Sequence, residues 1–195
     1  WFDFLIFCFS AFQFFFIRVY LCPSVVHTFP MNEQANNSLH DPLPDGFFEP
    51  IEANQYKADA RSVVWRSADG AWVIKKFLHS ALKQRLTWWV GRHPAQREKR
   101  AAARLAAAGV AVCPVRWIGM RGGHGLVVVP HLGESVQRVI AADGLADERR
   151  EAVLDGIAAR LRELIEGGWY FRDFQPANLV LTDDGDVVLI DVGSV

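Results

Sequence analysis

The sequence predicts an α+β fold built on an antiparallel sheet. Three observations carry this expectation: β-branched and aromatic residues split by Asp-Gly over 62–77, helical stretches over 79–109 and 147–168, and a second short hairpin with its own Asp-Gly signal over 178–191. Strands joined by tight turns pair antiparallel, and helices set between such hairpins pack on the sheet they leave. With 51% apolar and 22% charged residues over 195 positions, there is enough apolar mass for one domain or two small lobes.

The first segment, WFDFLIFCFSAFQFFFIRVYLC, is a separate compositional zone, with eight of the fourteen phenylalanines in its first sixteen residues. Only Asp3, Ser10 and Gln13 interrupt its apolar run over 1–17, which is at the short end of the ~20 residues a spanning helix needs. No Met opens the chain, no basic region precedes the apolar run, and Met31 stands directly before NEQANNSLHDPLPDG. Residues 1–30 therefore read as a weak anchor, as sequence upstream of a natural start at Met31, or as a buried element. Residues 31–46, rich in Asn, Pro and Asp, read as a flexible lead-in.

The folded part begins near Phe47. SVVWRS and AWVIKKF, joined through ADG, form the clearest hairpin. The helical stretch over 79–109 is broken at 91–94, and its second piece, PAQREKRAAARLAAAG, opens on Pro and closes on Gly. VAVCPVRWIGM and LVVVPHL, around RGGHG, read as two more strands, so residues 47–132 make an N-terminal lobe. Over 147–168, Val153, Leu154, Ile157, Leu161, Leu164 and Ile165 fall on one stripe of a long helix. NLVL, the turn TDDGD and VVLID then form the last hairpin, placing residues 133–195 in a partial second lobe.

A net charge of -1 with acids and bases intermixed argues against nucleic acid as a partner. Cys8, Cys22 and Cys113 are scattered and odd in number, which points away from a disulfide framework and from zinc and fits a reducing, cytoplasmic compartment. His79, His93, His124 and His131 stand apart from one another and from Cys113, against metal ligation. Trp88 and Trp89 in LTWWVG are expected to cap the lobe or touch a membrane surface.

The chemistry concentrates in three oxygen-bearing residues and a lysine. Asp173 is followed by Asn178 five residues on and by Asp191 thirteen beyond that, one in a loop after a helix and the last at the end of an apolar strand. Phosphoryl transfer to an alcohol needs a group on the acceptor hydroxyl, hard ligands for magnesium and a cation on the nucleotide phosphates. Asn178 and Asp191 suit magnesium, which retains waters and substrate phosphates as its other ligands. Asp173 is left to orient or deprotonate the hydroxyl.

FRDFQPAN resembles the HRDxxxxN catalytic loop of the protein-kinase-like superfamily, and IDVG resembles its DFG metal motif. AWVIKKF resembles the strand carrying the phosphate-binding lysine, an alignment that selects Lys75 over Lys76 and leaves Glu98 of the next helix as its partner. The resemblance covers roughly residues 47–195. It implies a two-lobed fold, ATP and magnesium as cofactors, a nucleotide base lying against Val129 and His131, and γ-phosphoryl transfer to a hydroxyl. Within the superfamily, REKRAAARLAAAGVAVCPV, PHLGES and LIDVGS look most like the bacterial lipopolysaccharide kinases that phosphorylate Kdo or heptose of the inner core. That likeness implies a lipid-linked core-sugar acceptor and peripheral association with the inner face of the cytoplasmic membrane.

Four departures accompany it. Phe171 replaces the family histidine, Gln175 replaces the loop lysine of many protein kinases, and no glycine lies between Gly46 and Gly70, where a phosphate-covering loop is expected. The chain also ends two residues after Gly193, where kinases of this kind continue, so it reads as a fragment truncated at its C-terminus. These departures keep two competing functions open: a kinase-like binding or scaffold protein without turnover, and a Ser/Thr protein kinase.

Overall fold

Strand-forming sequence between residues 55 and 130 folds into a five-stranded antiparallel sheet in the computed structural model, which describes residues 47–142 and 147–195. Its strands are β1 (Gln55–Ala58), β2 (Ser62–Arg66), β3 (Trp72–Phe77), β4 (Trp117–Arg121) and β5 (His124–Pro130), in the order β1-β2-β3-β5-β4. The β2–β3 hairpin is the one expected, and Gly70 at φ +73° supplies the left-handed turn position. Strand β1 was not legible, because QYKA has no alternation. It is recruited by pairing with β2, and Asp59 builds its turn by accepting the Arg61 and Ser62 amides at 2.8 and 2.7 Å.

Alternation along β3 separates two faces. Trp72 and Ile74 pack with Phe48, Trp65, Leu126 and Val128, while Phe77 packs with Ala95 and Val127 on the opposite side. Helices α1 (Ala81–Trp89) and α2 (Pro94–Ala107) follow β3, with the break at 91–94 where it was expected. Ala95, Ala101, Ala102 and Leu105 form the buried stripe of α2, and alanines let the helix axis come close to its neighbours.

His93 caps α2 and anchors the α1–α2 corner. It is fully buried; its Nδ1 accepts the Ala95 amide at 3.1 Å and its Nε2 lies 3.1 Å from the Gln84 Oε1, which also accepts the Gly125 amide. The Gln84 amide nitrogen donates to the carbonyls of Phe77 and His79 and lies 3.1 Å from His124 Nδ1. The histidines that stand apart in sequence thus converge in part, since His93 and His124 share Gln84. No group of three or more His, Cys, Asp or Glu that could hold a metal occurs among the described residues.

This arrangement needs a neutral ring. Burial first, then the neighbouring His79, pushes the His93 imidazole down to about 4. The unfolded chain protonates His93 near its ordinary value of about 6.5, so it binds more protons than the folded chain below that pH. Stability is full above 6.5 and is lost as pH falls toward 4, by up to about 1.4 kcal/mol per unit. We expect the wild-type melting temperature to drop between pH 6.5 and 5, and His93→Gln to lose most of that dependence. Equal slopes in the two proteins would place the acid sensitivity elsewhere.

The second part of the fold is a three-stranded antiparallel sheet, β6-β7-β8, formed by β6 (Gly133–Ser135), β7 (Leu179–Thr182) and β8 (Val187–Leu189), with α3 (Val136–Ala141) and α4 (Asp147–Glu166). The final hairpin and α4 match expectation; β6 and α3 were too short to show in the sequence. Gly133 pairs so closely with β7 that a Cβ would come 2.1 Å from the Leu181 carbonyl oxygen. The largest core lies here, with Leu105 and Val110 from the first part against Val136, Val153, Leu164, Phe171, Leu179 and Leu189. Gly156 lets α4 approach β8, because a Cβ there would meet Val187 at 2.6 Å. The α4 stripe is narrower than expected: Val153 and Leu164 are buried, whereas Leu154 and Ile165 are exposed.

VAVCPV, expected as a strand, makes only one parallel bridge, Val112 to Leu189, because Pro114 has no amide to continue a ladder. That segment instead ties the two sheets: the Cys113 amide donates to the Leu189 carbonyl at 2.8 Å and the Leu189 amide to Ala111 at 3.0 Å. The apolar segment over 1–30 and the lead-in lie outside the described residues. Among the described residues no helix is long and apolar enough to cross a membrane.

Candidate functional site

A cavity of about 590 Å³ opens between the five-stranded sheet, α2 and the β7–β8 segment. Its exposed wall surface is mostly apolar, with Val64, Val73, Ala102, Val127 and Val129 contributing, and Lys75, Glu98, Asn178 and Asp191 converge on it. Apolar walls with a few converging polar groups are the usual makeup of a small-molecule site, and the volume suits a nucleotide.

Strand alternation delivers Lys75. Lys75 shares the face of Val73 and lines the cavity, and Lys76 falls on the opposite face and does not. Lys75 Nζ lies 3.3 Å from Glu98 Oε2 and 2.5 Å from Asp191 Oδ1. Glu98 is the buried carboxylate of α2, at the centre of its alanine stripe. Burial alone would push the Lys75 ammonium down, but Glu98 and Asp191 outweigh it and hold it above its ordinary value. Burial, reinforced by the charge of Asp191, pushes the Glu98 carboxyl up against the pull of Lys75. The result is one cation between two carboxylates that come from elements 23 and 116 residues away.

Asp191 follows β8 with φ +54°, the only non-glycine residue with positive φ among the described residues. Aspartate enters this region more readily than most side chains, yet the conformation is uncommon and is held by its surroundings. The Ile190 amide donates to the Asn178 carbonyl at 2.9 Å, fixing the strand end against the preceding loop. Beyond it, Arg97 of α2 donates to the Gly193 carbonyl at 2.9 Å. Arg97 was not singled out by sequence, where it is one of several bases in a helix; only the packing shows that it grips the segment after Asp191.

Asn178 ends a short 3-10 turn, Pro176–Asn178, and its side-chain nitrogen donates to the Asp173 carbonyl at 2.9 Å. Its side-chain oxygen is therefore the atom left for a ligand. With the Asp191 carboxylate on the same cavity, this offers two hard oxygens, a set that fits magnesium carrying waters and phosphate oxygens. Asp173, unlike the other four residues, does not line the cavity, and its side chain is half exposed. The Ser194 hydroxyl and then Arg172 hold its carboxyl below the ordinary range.

Val129 and His131 both line the cavity. The His131 amide is committed to the Ala71 carbonyl at 2.8 Å, so His131 can meet a base through its side chain, whose ring stacks at 6.4 Å on Tyr56. Pro130 has no amide to offer. Cys113, a wall residue that sequence reasoning set aside, has its thiol pushed up to about 12 by burial, which makes it an inert, protonated surface. Between β1 and β2, the expected glycine-rich cover is replaced by the Asp59 turn, and Lys57 is paired with Asp59 at 2.8 Å.

An antiparallel five-stranded sheet whose third strand presents a lysine to a helix carboxylate, followed by a smaller sheet whose last strand ends in an aspartate on the same cleft, is an α+β fold with the layout that the kinase-like resemblance of the sequence implies. No protein-family model and no curated protein matches the sequence. Among solved structures, the chain is similar to a medium-resolution structure of the bifunctional kinase-methyltransferase WbdD, at 21% identity and TM-score 0.48, covering 69% of this chain and 30% of that one. It is similar as well to the 2.2 Å WbdD structure (20%, TM-score 0.49, 71% and 31%). The co-crystal of WbdD with the kinase inhibitor LY294002 aligns comparably (21%, TM-score 0.49, 72% and 32%). The chain spans about a third of the length of these structures.

Proposed function

We propose that this chain is a phosphotransferase that binds ATP in the cavity and transfers its γ-phosphoryl group to a hydroxyl, with a lipid-linked lipopolysaccharide core sugar as acceptor. The observation that carries the reading is Lys75 held between Glu98 and Asp191 at the inner end of an apolar cavity. A lysine fixed in this way is a positioned point charge for phosphate oxygens, and it leaves Asp191 when nucleotide and metal arrive. Asn178 and Asp191 would hold magnesium, which supplies charge neutralisation on the phosphates. Val129 and the side chain of His131 would flank the base.

In the reaction, the acceptor oxygen forms a bond to the γ-phosphorus as the bond to the β–γ bridging oxygen breaks. Asp173 orients the hydroxyl and takes its proton, and ADP leaves. An Asp173 that does not line the cavity suits an acceptor that enters from outside it. Gln175 in place of a lysine, together with the likeness of PHLGES and LIDVGS to lipopolysaccharide kinases, favours a sugar over a protein hydroxyl. Such an acceptor puts the enzyme at the inner face of the cytoplasmic membrane.

The test is thermal unfolding with ATP and magnesium, followed by transfer of labelled γ-phosphate to lipopolysaccharide or to a generic protein. Nucleotide at a hundredfold excess over its dissociation constant is expected to stabilise by about 2.7 kcal/mol, and only with magnesium present. No shift would overturn nucleotide binding, and label in protein alone would overturn the sugar acceptor. A non-catalytic scaffold is the second reading, favoured by the glycine-free β1–β2 turn that ties Lys57 to Asp59. It predicts no shift with ATP and magnesium and no transfer to any acceptor.

A further inference from the structure

Helix α1 takes no part in the cavity, and its outward face is unusual. Gln84 and Trp88 point inward, Gln84 into the corner network and Trp88 against Phe77 and His93. On the other side, Leu82, Leu86, Trp89 and Val90 are exposed by 80%, 61%, 85% and 48%. At about 100° per residue these four fall within one arc of roughly a quarter-turn, opposite the inward pair. Lys83 and Arg85, both exposed, flank that arc on its two sides. Arg92 follows directly, and Arg100 reaches back to the Gly91 carbonyl at 2.7 Å.

Charge along this stretch of the chain is one-sided, although the whole chain is close to neutral. Between Asp69 and Glu134 the only carboxylate is Glu98, and that one is buried on Lys75, whereas the same stretch carries eleven Lys and Arg residues. Acids and bases are therefore segregated rather than intermixed over this region. An apolar arc of Leu and Trp bordered by long basic side chains can sink the arc to the acyl boundary while the cations reach phosphate groups. A protein partner with an apolar groove would match the arc but leave the basic border without counter-charge. Nucleic acid would match the border but not the arc.

We propose that α1 is an interfacial docking helix that seats this protein on an anionic phospholipid surface. Leu82, Leu86 and Trp89 enter the headgroup layer, and Lys83, Arg85 and Arg92 contact lipid phosphates. The inference deepens the proposed function, since a lipid-linked acceptor is met at such a surface, but its test involves no turnover, so either can fail alone.

The experiment is co-flotation of the full chain with vesicles of phosphatidylcholine alone and of phosphatidylcholine with 30–40 mol% (roughly) phosphatidylglycerol, with tryptophan emission followed in parallel. Binding to the anionic vesicles is expected to exceed binding to the neutral ones at least about tenfold and to weaken with salt, and emission is expected to shift to the blue. Leu86→Asn with Trp89→Ser should abolish it, and Lys83→Glu with Arg85→Glu should weaken it about tenfold or more, each with unchanged ATP-dependent thermal shift. Because the substituted side chains face outward, the variants are expected to fold, and the thermal shift verifies that they have. Vesicle binding that survives both double variants would assign it to another segment, such as the apolar residues 1–30, and overturn the proposal. So would equal binding to both vesicle types, binding to RNA in place of vesicles, or wild-type dimers that the Leu86→Asn, Trp89→Ser variant dissolves.

Discussion

Asp173→Asn is expected to lower phosphoryl transfer by about 10²- to 10⁴-fold while leaving ATP affinity within a few-fold of wild type, because a positioned general base contributes on that scale. The substitution preserves shape, and the backbone carbonyl that receives the Asn178 amide is untouched, so the loop geometry is retained. Asparagine can still hold a hydroxyl but cannot take its proton. Since the Ser194 hydroxyl and Arg172 hold the wild-type carboxyl below its ordinary range, the base is ionised throughout the neutral region. Its activity should therefore fall only on the acid side of the usual carboxylate titration. Steady-state kinetics with ATP and acceptor varied separately checks both statements, and full activity in the variant would remove Asp173 from the mechanism.

Lys75→Met should act on folding and chemistry together. It removes the cation from between Glu98 and Asp191, leaving Glu98 buried without a counter-charge. Breaking a buried pair from one side costs about 3–5 kcal/mol, a large part of a domain's stability. Transfer should fall by about 10²- to 10³-fold, the usual cost of losing one charge-stabilising group. The two effects separate in the double variant Lys75→Met, Glu98→Leu, where no charge is stranded: denaturant titration should recover most of the stability while turnover stays lost. If Lys75→Met alone unfolds no more easily than wild type, the ion pair is not the structural link that the geometry describes.

Much of the fold could be read from local patterns. The hairpin over 62–77, the helix break at 91–94, the α4 helix and the β7–β8 hairpin each have a signal of a few residues: Asp-Gly between β-branched runs, Pro and Gly at helix ends, a stripe at three-to-four spacing. β1, β6 and α3 escaped because they are 4, 3 and 6 residues long and exist through what they pair with. VAVCPV escaped in the other direction, since its composition is that of a strand while Pro114 and its position between the sheets allow one bridge only. The α1 surface was half legible: the tryptophan pair was visible, but nothing local says that Trp88 turns in and Trp89 turns out.

For the site, the spacing of Asp173, Asn178 and Asp191 and the order of Lys75 and Glu98 are properties of the chain itself, and the sequence alone named all five. What it could not decide is which of them meet. Lys75 and Asp191 are 116 positions apart and lie 2.5 Å from each other, a contact made because β3 and the segment after β8 line one cavity. Tertiary structure also put Lys75 on the cavity face and Lys76 away from it, and buried Glu98 in an alanine stripe. It committed the His131 amide to Ala71 and turned Leu82, Leu86 and Trp89 outward on one face of α1. The reason is common to all four: charge, burial and hydrogen bonding depend on distances in space, and those follow from long-range pairing that no short window of sequence contains.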